Sequence, residues 1–182
     1  KSDYATALDY LQLGLTTAKE MGDPKREANT YSNMSNVYRN LGDLPLALAR
    51  QGGQVVHSLA VDPNSRDSLR RSIRAAGLYG QVSVTLWSPP YLPHVDDLVN
   101  VIVVPDWPSA AKAGLTVKEV LRPLAPLGTV WLGRAPGLFD ELSAQAQAAG
   151  ASKAERATTE AGDGWLKLSK SWPPDIDQWG HY

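Results

Sequence analysis

The sequence predicts an α/β fold: a mostly parallel sheet with a C-terminal antiparallel hairpin, preceded by an all-α helical-repeat segment. Three observations lead there. Strand-like and helix-like hydrophobic periods alternate from residue 54 onward. Leu98–Val104 is an apolar run broken only by Asn100, as expected of a central strand buried on both faces of a parallel sheet. Two final strand-like runs then flank Ala161-Gly162-Asp163-Gly164, a hairpin turn signal.

In chain order, the first fifty residues read as helices. Tyr4, Leu8, Leu11, Leu15 and Ala18 share one face at i, i+3/i+4 spacing. Met21-Gly22-Asp23-Pro24 ends that helix, with Asp23 capping the next and Pro24 starting it. Tyr31, Met34, Ser35 and Tyr38 follow, then a Gly42-Asp43 turn and Ala47. Asp3-Tyr4-Ala5-Thr6-Ala7-Leu8 recurs as Asp43-Leu44-Pro45-Leu46-Ala47-Leu48, a self-match at a period of 40. These spacings resemble the tetratricopeptide repeat, with Met34 and Ser35 in place of its Leu and Gly. Gln51 stands where the next aromatic is expected, so the second repeat is cut short. The resemblance implies the edge of a partner-binding solenoid. A helical hairpin that only packs on its neighbour explains the same pattern.

The predicted α/β region spans residues 51–170. Gln54–Val61 reads as a strand, Asp62-Pro63-Asn64 as a turn and N-cap, and Ser65–Ala76 as a helix ended by Gly77. Gln81–Trp87 alternates as a strand. After the Leu98–Val104 run come a helix at Val117–Leu124 and a short strand at Thr129–Leu132. A helix at Leu138–Ala149, ended by Gly150, precedes strands at 153–159 and Trp165–Lys170. Residues 171–182 form an aromatic and proline-rich junction.

Composition narrows the functions available. The chain has 182 residues, 43% hydrophobic and 20% charged, with a net charge of −1. That is a globular composition, without the basic excess of a dedicated nucleic-acid binder. With no Cys there is no disulfide, thiolate metal site or cysteine nucleophile. His57, His94 and His181 make no pair at metal-ligand spacing, so no metal site is expected. No run reaches the ~18 apolar residues of a membrane span. The chain opens at Lys1 without Met and stops in a run of aromatics, so it reads as a fragment of a longer protein.

The order of elements resembles the class I S-adenosylmethionine-dependent methyltransferase fold, a Rossmann-like sheet. Leu121-Arg122-Pro123-Leu124-Ala125-Pro126-Leu127-Gly128 is similar to the family's helix-end segment before its fifth strand. Asp97–Val104 looks like its fourth strand, and Gly150 onward like its sixth and seventh. Gly77–Val84 and Leu92–Asn100 further resemble a methyltransferase-like domain of planctomycete-type bacterial proteins that continue into a quinoprotein-like β-propeller. Trp172-Pro173-Pro174-Asp175-Ile176-Asp177-Gln178-Trp179-Gly180-His181-Tyr182 is similar to the junction before that propeller. The resemblance covers about residues 52–182 and implies S-adenosylmethionine as cofactor and a downstream propeller domain as neighbour.

One part of the family pattern is missing. The family places a glycine-rich loop after strand one, because a Cβ would clash with the cofactor there. An acid at the end of its strand two binds the ribose hydroxyls. Here Gly52-Gly53-Gln54-Val55-Val56-His57 looks like the start of strand one, and Ser58-Leu59-Ala60-Val61-Asp62-Pro63 like the end of strand two. Loop and helix between them are absent, and the ribose acid falls on Ala60. Gly52, Gly53, Asp62, Trp87 and Ser88 are the candidate cofactor-binding residues, Asp62 as substitute for the acid. Asp62 as helix N-cap is the plain structural alternative.

Asp106 and Trp107 follow the buried run, where the fold often puts a substrate-facing polar residue and aromatic; loop packing explains them equally. Ser88-Pro89-Pro90-Tyr91 matches the box with which amino-group DNA methyltransferases grip a flipped base, or is a proline-rich turn. Arg66, Arg70 and Arg74, with Arg71 alongside, make a basic stripe for a phosphate or acidic partner, or a solvated face. Glu119 and Arg122 form an i, i+3 surface pair. No nucleophile elbow, phosphate-binding loop or paired carboxylates are present, so no catalytic residue is named. The expectation is a methyltransferase-like domain with impaired or lost cofactor binding. The alternative is a protein-protein interaction scaffold, a helical repeat plus inert α/β adaptor. The third reading, an amino-group nucleic-acid methyltransferase, sits poorly with the charge, so no nucleic acid is expected as partner.

Overall fold

A computed structural model describes residues 13–26, 30, 44–50, 54–158 and 164–173. The chain divides into two compact units, Lys1–Tyr91 and Leu92–Tyr182. No described helix is long and apolar enough to cross a membrane.

In the first unit, residues 13–20 and 24–26 are helical, separated by a turn at 21–22. Asp23 Oδ1 accepts from the backbone N–H groups of Lys25 and Arg26, which is why the second helix starts at Pro24. Leu15 and Ala18 are buried. The rest of the predicted repeat, including Tyr31, Met34, Ser35, Tyr38 and Gly42-Asp43, lies outside the described residues. Helix α1 (Leu44–Arg50) buries Leu46, Ala47 and Ala49.

Strand β1 (Val56–Ala60) leads through the Asp62 cap into helix α2 (Pro63–Ala75), whose Leu69 and Ile73 meet the core one turn apart. Ala76 and Gly77 end the helix, with Gly77 at φ +69°. Strand β2 (Val82–Leu86) then runs parallel to β1, from Val56 opposite Val82 to Ala60 opposite Leu86. Val82 and Val84 point inward and alternate with exposed Ser83 and Thr85, the pattern of a half-buried strand. Leu46, Ala49, Ala60, Leu69, Ile73, Val82 and Val84 form this unit's core.

The second unit carries a four-stranded sheet of order β3-β4-β6-β5. Its elements are β3 (Val99–Val104), α3 (Trp107–Lys112), α4 (Val117–Leu121), β4 (Leu124–Gly133), α5 (Phe139–Ala148), β5 (Ala151–Thr158) and β6 (Gly164–Lys170). β3 and β4 are parallel, whereas β4–β6 and β5–β6 are antiparallel. The last ladder is the predicted hairpin, although residues 161–163 of its turn lie outside the described residues. Trp131, Leu121, Leu124, Leu132, Leu166, Leu168, Val117, Val120 and Val130 are fully buried, each stabilising by roughly 1.5–3 kcal/mol. Trp131 and Trp165 meet edge-to-face at 6.5 Å, and the Lys167 ammonium lies over the Trp131 ring at 5.1 Å. On edge strand β5, Lys153, Glu155 and Arg156 make a charged border that discourages further pairing.

Four expectations change. The sheet is evenly mixed and not mostly parallel, and its described strands form two sheets. Among the described residues β3 pairs with β4 alone, where a central strand is expected, and its Val101 is 49% exposed. β4 is ten residues long and begins at Leu124, because Arg122-Pro123 stops the preceding helix. Helix α3 adds an element to those the hydrophobic periods predict, and Asp106-Trp107-Pro108 is its cap-and-proline start.

Candidate functional site

In doubly wound sheets, ligands sit outside the carboxyl ends of the strands, near the central switch point. The sequence-predicted residues fall at such ends in each unit. Gly52 and Gly53 lie outside the described residues.

In the first unit, Ala60 and Leu86 close the parallel β1–β2 ladder, and the Trp87 N–H donates to the Ala60 carbonyl at 2.8 Å. Asp62 and Ser88 therefore come just beyond the same end. Ala60, where the resemblance would put the family's ribose acid, is buried in the core. The Asp62 carboxylate is turned onto its own helix. Oδ1 accepts from the Ser65 N–H at 3.0 Å, and Oδ2 from the Ser65 hydroxyl at 2.5 Å. Those bonds, the hydroxyl's first, hold the Asp62 carboxyl below the usual carboxylate range. Ribose hydroxyls would have to share oxygens already engaged. Asp62 thus serves as a helix cap, and any further donor would use the lone pairs its oxygens keep.

Trp87 is half-buried, and its indole N–H donates to the Tyr91 carbonyl at 3.0 Å. Ser88 and Tyr91 face each other in an antiparallel bridge across a cis Pro89–Pro90 peptide. The Ser88-Pro89-Pro90-Tyr91 segment is a tight proline turn after β2. On α2, Arg70, Arg71 and Arg74 are exposed, while Arg66 donates to Asp67 at 2.7 Å.

In the second unit, β3 and β4 end side by side, and one glycine decides how closely. A Cβ on Gly133 would lie 2.5 Å from the Pro105 carbonyl oxygen and 2.9 Å from the Trp165 ring. That approach sets the next residues together: Arg134 Nη1 donates to Asp106 Oδ2 at 2.7 Å. Asp106 Oδ1 also accepts from the Ser109 N–H at 3.3 Å, capping α3. Arg134 adopts φ +59°, a left-handed conformation uncommon outside glycine. Trp107 is buried at 3% exposure, so it serves packing, and the polar half of the pair alone meets solvent.

The Glu119–Arg122 pair is more than the surface contact the sequence suggests. Arg122 donates to both Glu119 oxygens, to Asp96 Oδ1 at 2.8 Å, and to the carbonyls of Leu92 and His94 at 2.9 and 2.7 Å. Glu119 Oε1 accepts from the Leu92 N–H at 2.7 Å. These bonds, Arg122's first, hold the Glu119 carboxyl below its ordinary value. Burial, then the Arg122 charge, lowers the His94 pKa. Lys170 Nζ adds bonds to Asp97 Oδ1 at 2.6 Å and to the Leu121 and Arg122 carbonyls. Residues 92–97 are thereby fastened to the end of α4. Spacing along α4 shows only its i, i+3 half; the long-range half carries no sequence signal. Among the described residues, no acidic and histidine cluster could hold a metal ion.

No family model and no curated protein sequence matches the chain. Solved structures do. A methyltransferase from Aquifex aeolicus that depends on S-adenosylmethionine is 14% identical, with 85% of this chain and 97% of that one covered and a TM-score of 0.59. The [4+2]-cyclase SpnF is 15% identical over 69% of this chain and 70% of that one, at a TM-score of 0.57. A complex of the Haloferax volcanii Trm112 methyltransferase activator with a provisionally named methyltransferase matches at 13%, covering 79% and 80%, with a TM-score of 0.56. The chain has a methyltransferase-like, Rossmann-like α/β fold. A cyclase among the neighbours shows that this fold does not fix the reaction.

Proposed function

We propose that the chain is a methyltransferase-like domain in which S-adenosylmethionine binding is impaired. The observation that carries this is the Asp62–Ser65 cap, together with apolar Ala60 at the ribose-acid position. Gly52 and Gly53 remain the candidates for what is left of the cofactor loop, with Trp87 and Ser88 beyond β2. Asp106, with Trp107 beneath it, is the candidate on the substrate side. Titration calorimetry of the full chain with S-adenosylmethionine and its demethylated product tests the reading. No heat of tight binding is expected from either. Tight binding that disappears in Asp62→Ala would overturn impairment and make Asp62 the ribose ligand.

The second reading, an interaction scaffold, draws on exposed apolar residues of the second unit. Val95, Leu98, Val101 and Leu127 are between 49% and 69% exposed, and apolar side chains gathered into one exposed patch mark interaction surfaces. The Trm112 complex is a case of a methyltransferase held by a protein partner. In this reading the helical repeat and a downstream propeller, both expected from resemblance, supply further contacts. Affinity capture with the full chain and with Val101→Lys distinguishes it: a partner retained by the first and lost by the second favours the scaffold.

A further inference from the structure

We propose that Arg134 anchors the carboxylate of a small-molecule ligand at the carboxyl ends of β3 and β4, with Asp106 as the chain's own competitor for it. The inference rests on reading this end as the substrate side, and it is independent of cofactor binding.

The pair is built by the backbone. Gly133 approaches the Pro105 carbonyl more closely than any side-chain-bearing residue could, which brings Asp106 and Arg134 together. The two partners are held unequally. Asp106 is tied to α3 through Ser109, and Arg134 bonds to Asp106 alone among the described residues. Asp106 meets the guanidinium through a single oxygen and a single nitrogen, with the Arg134 side chain 52% exposed. A guanidinium is a planar fork whose best partner is a carboxylate taken by two parallel bonds. A free ligand carboxylate can make that two-bond contact; Asp106, with its other oxygen committed to the cap, does not. The ligand class is a monoanionic carboxylate, because Asp106 beside the site repels a dianion more strongly.

The test follows ¹H–¹⁵N spectra of the full chain, including the Arg134 side-chain N–H signal, while sodium propionate is added at constant ionic strength. Sodium chloride and inorganic phosphate are the comparison arms. Saturable shifts centred on Arg134 are expected with propionate, weaker with phosphate and absent with chloride. Arg134→Gln should weaken binding by about tenfold or more, the effect of losing a charged hydrogen bond. Asp106→Asn should tighten it, since Asn keeps the cap and removes the competing charge. Thermal melting of each variant confirms folding, and the Asp106→Asn arm stands even if Arg134→Gln fails to fold. No shift at Arg134, equal shifts with chloride, tighter binding of phosphate, or weaker binding in Asp106→Asn each overturns the proposal. Cofactor plays no part in these titrations, so their failure is separate from the calorimetric result.

Discussion

Arg122 grips Glu119 as a fork, Nη2 to Oε1 at 2.8 Å and Nε to Oε2 at 3.0 Å. The same guanidinium holds the carbonyls of Leu92 and His94, so cutting it off orphans acceptors on a loop as well as a carboxylate on a helix. Arg122→Ala should cost about 2–4 kcal/mol, more than a surface ion pair. Arg122→Lys should recover only part of that, because an ammonium lacks the planar fork. Urea unfolding followed by circular dichroism measures both. A loss below roughly 0.5 kcal/mol for the alanine variant would reduce the clamp to an ordinary surface contact.

The same cluster should give acid denaturation two limbs. Burial first and the Arg122 charge second depress the folded His94 pKa. The unfolded chain then takes the proton first, and stability falls as pH drops below about 6.5. The Glu119 pKa is depressed by its bonds to Arg122. Its contribution is present above the ordinary carboxylate value of about 4.3 and lost as pH falls through the lower folded value. Unfolding midpoints measured from neutral to acid pH should show the upper limb flattened in His94→Gln and the lower limb kept. If His94→Gln leaves the upper limb intact, another group titrates there.

Gly133 is a steric requirement. Adding a Cβ puts it 2.5 Å from a backbone oxygen and 2.9 Å from a buried tryptophan ring, and neither can swing away as a flexible side chain could. Gly133→Ala should destabilise by about 2–3 kcal/mol, the range of overpacked cores. Gly137→Ala, where nothing lies within 4 Å of the added atom, is the control. Equal stability of the two variants in chemical denaturation would mean that β3 and β4 part without cost.

Much of the fold was legible because it is local. Asp62-Pro63 announces α2 by cap and proline, Val82 and Val84 announce β2 by alternation, and Gly150 marks the end of α5. What the pattern cannot carry is pairing. The apolar run at Val99–Val104 fits a strand with two neighbours or with one, and only the described β3-β4-β6-β5 order shows β4 beside it. Candidate sites divide the same way. Asp62 and Asp106 were visible as acids after strands, and both are caps. Their further partners differ: Asp62 turns to Ser65 on its own helix, while Asp106 meets Arg134 across 28 positions. Arg134 itself follows a glycine whose role depends on a carbonyl from another strand.

The Asp62 cap separates a structural role from a ligand role by its own response to substitution. Ser65 supplies both hydrogen bonds, one through its backbone and one through its hydroxyl. Asp62→Asn can still accept from the Ser65 N–H, as asparagine caps helices about as well as aspartate. Asp62→Ala can accept nothing, and Ser65→Ala removes the hydroxyl bond alone. Thermal midpoints at neutral pH should therefore fall in the order wild type, then Asp62→Asn and Ser65→Ala, then Asp62→Ala. The carboxyl pKa is depressed by the Ser65 bonds. The gain of aspartate over asparagine thus exists above about pH 3.9 and is lost as pH falls through the lower folded value. An Asp62→Ala variant that melts with the wild type would show that the carboxylate is not needed by its helix, and so is available to a ligand.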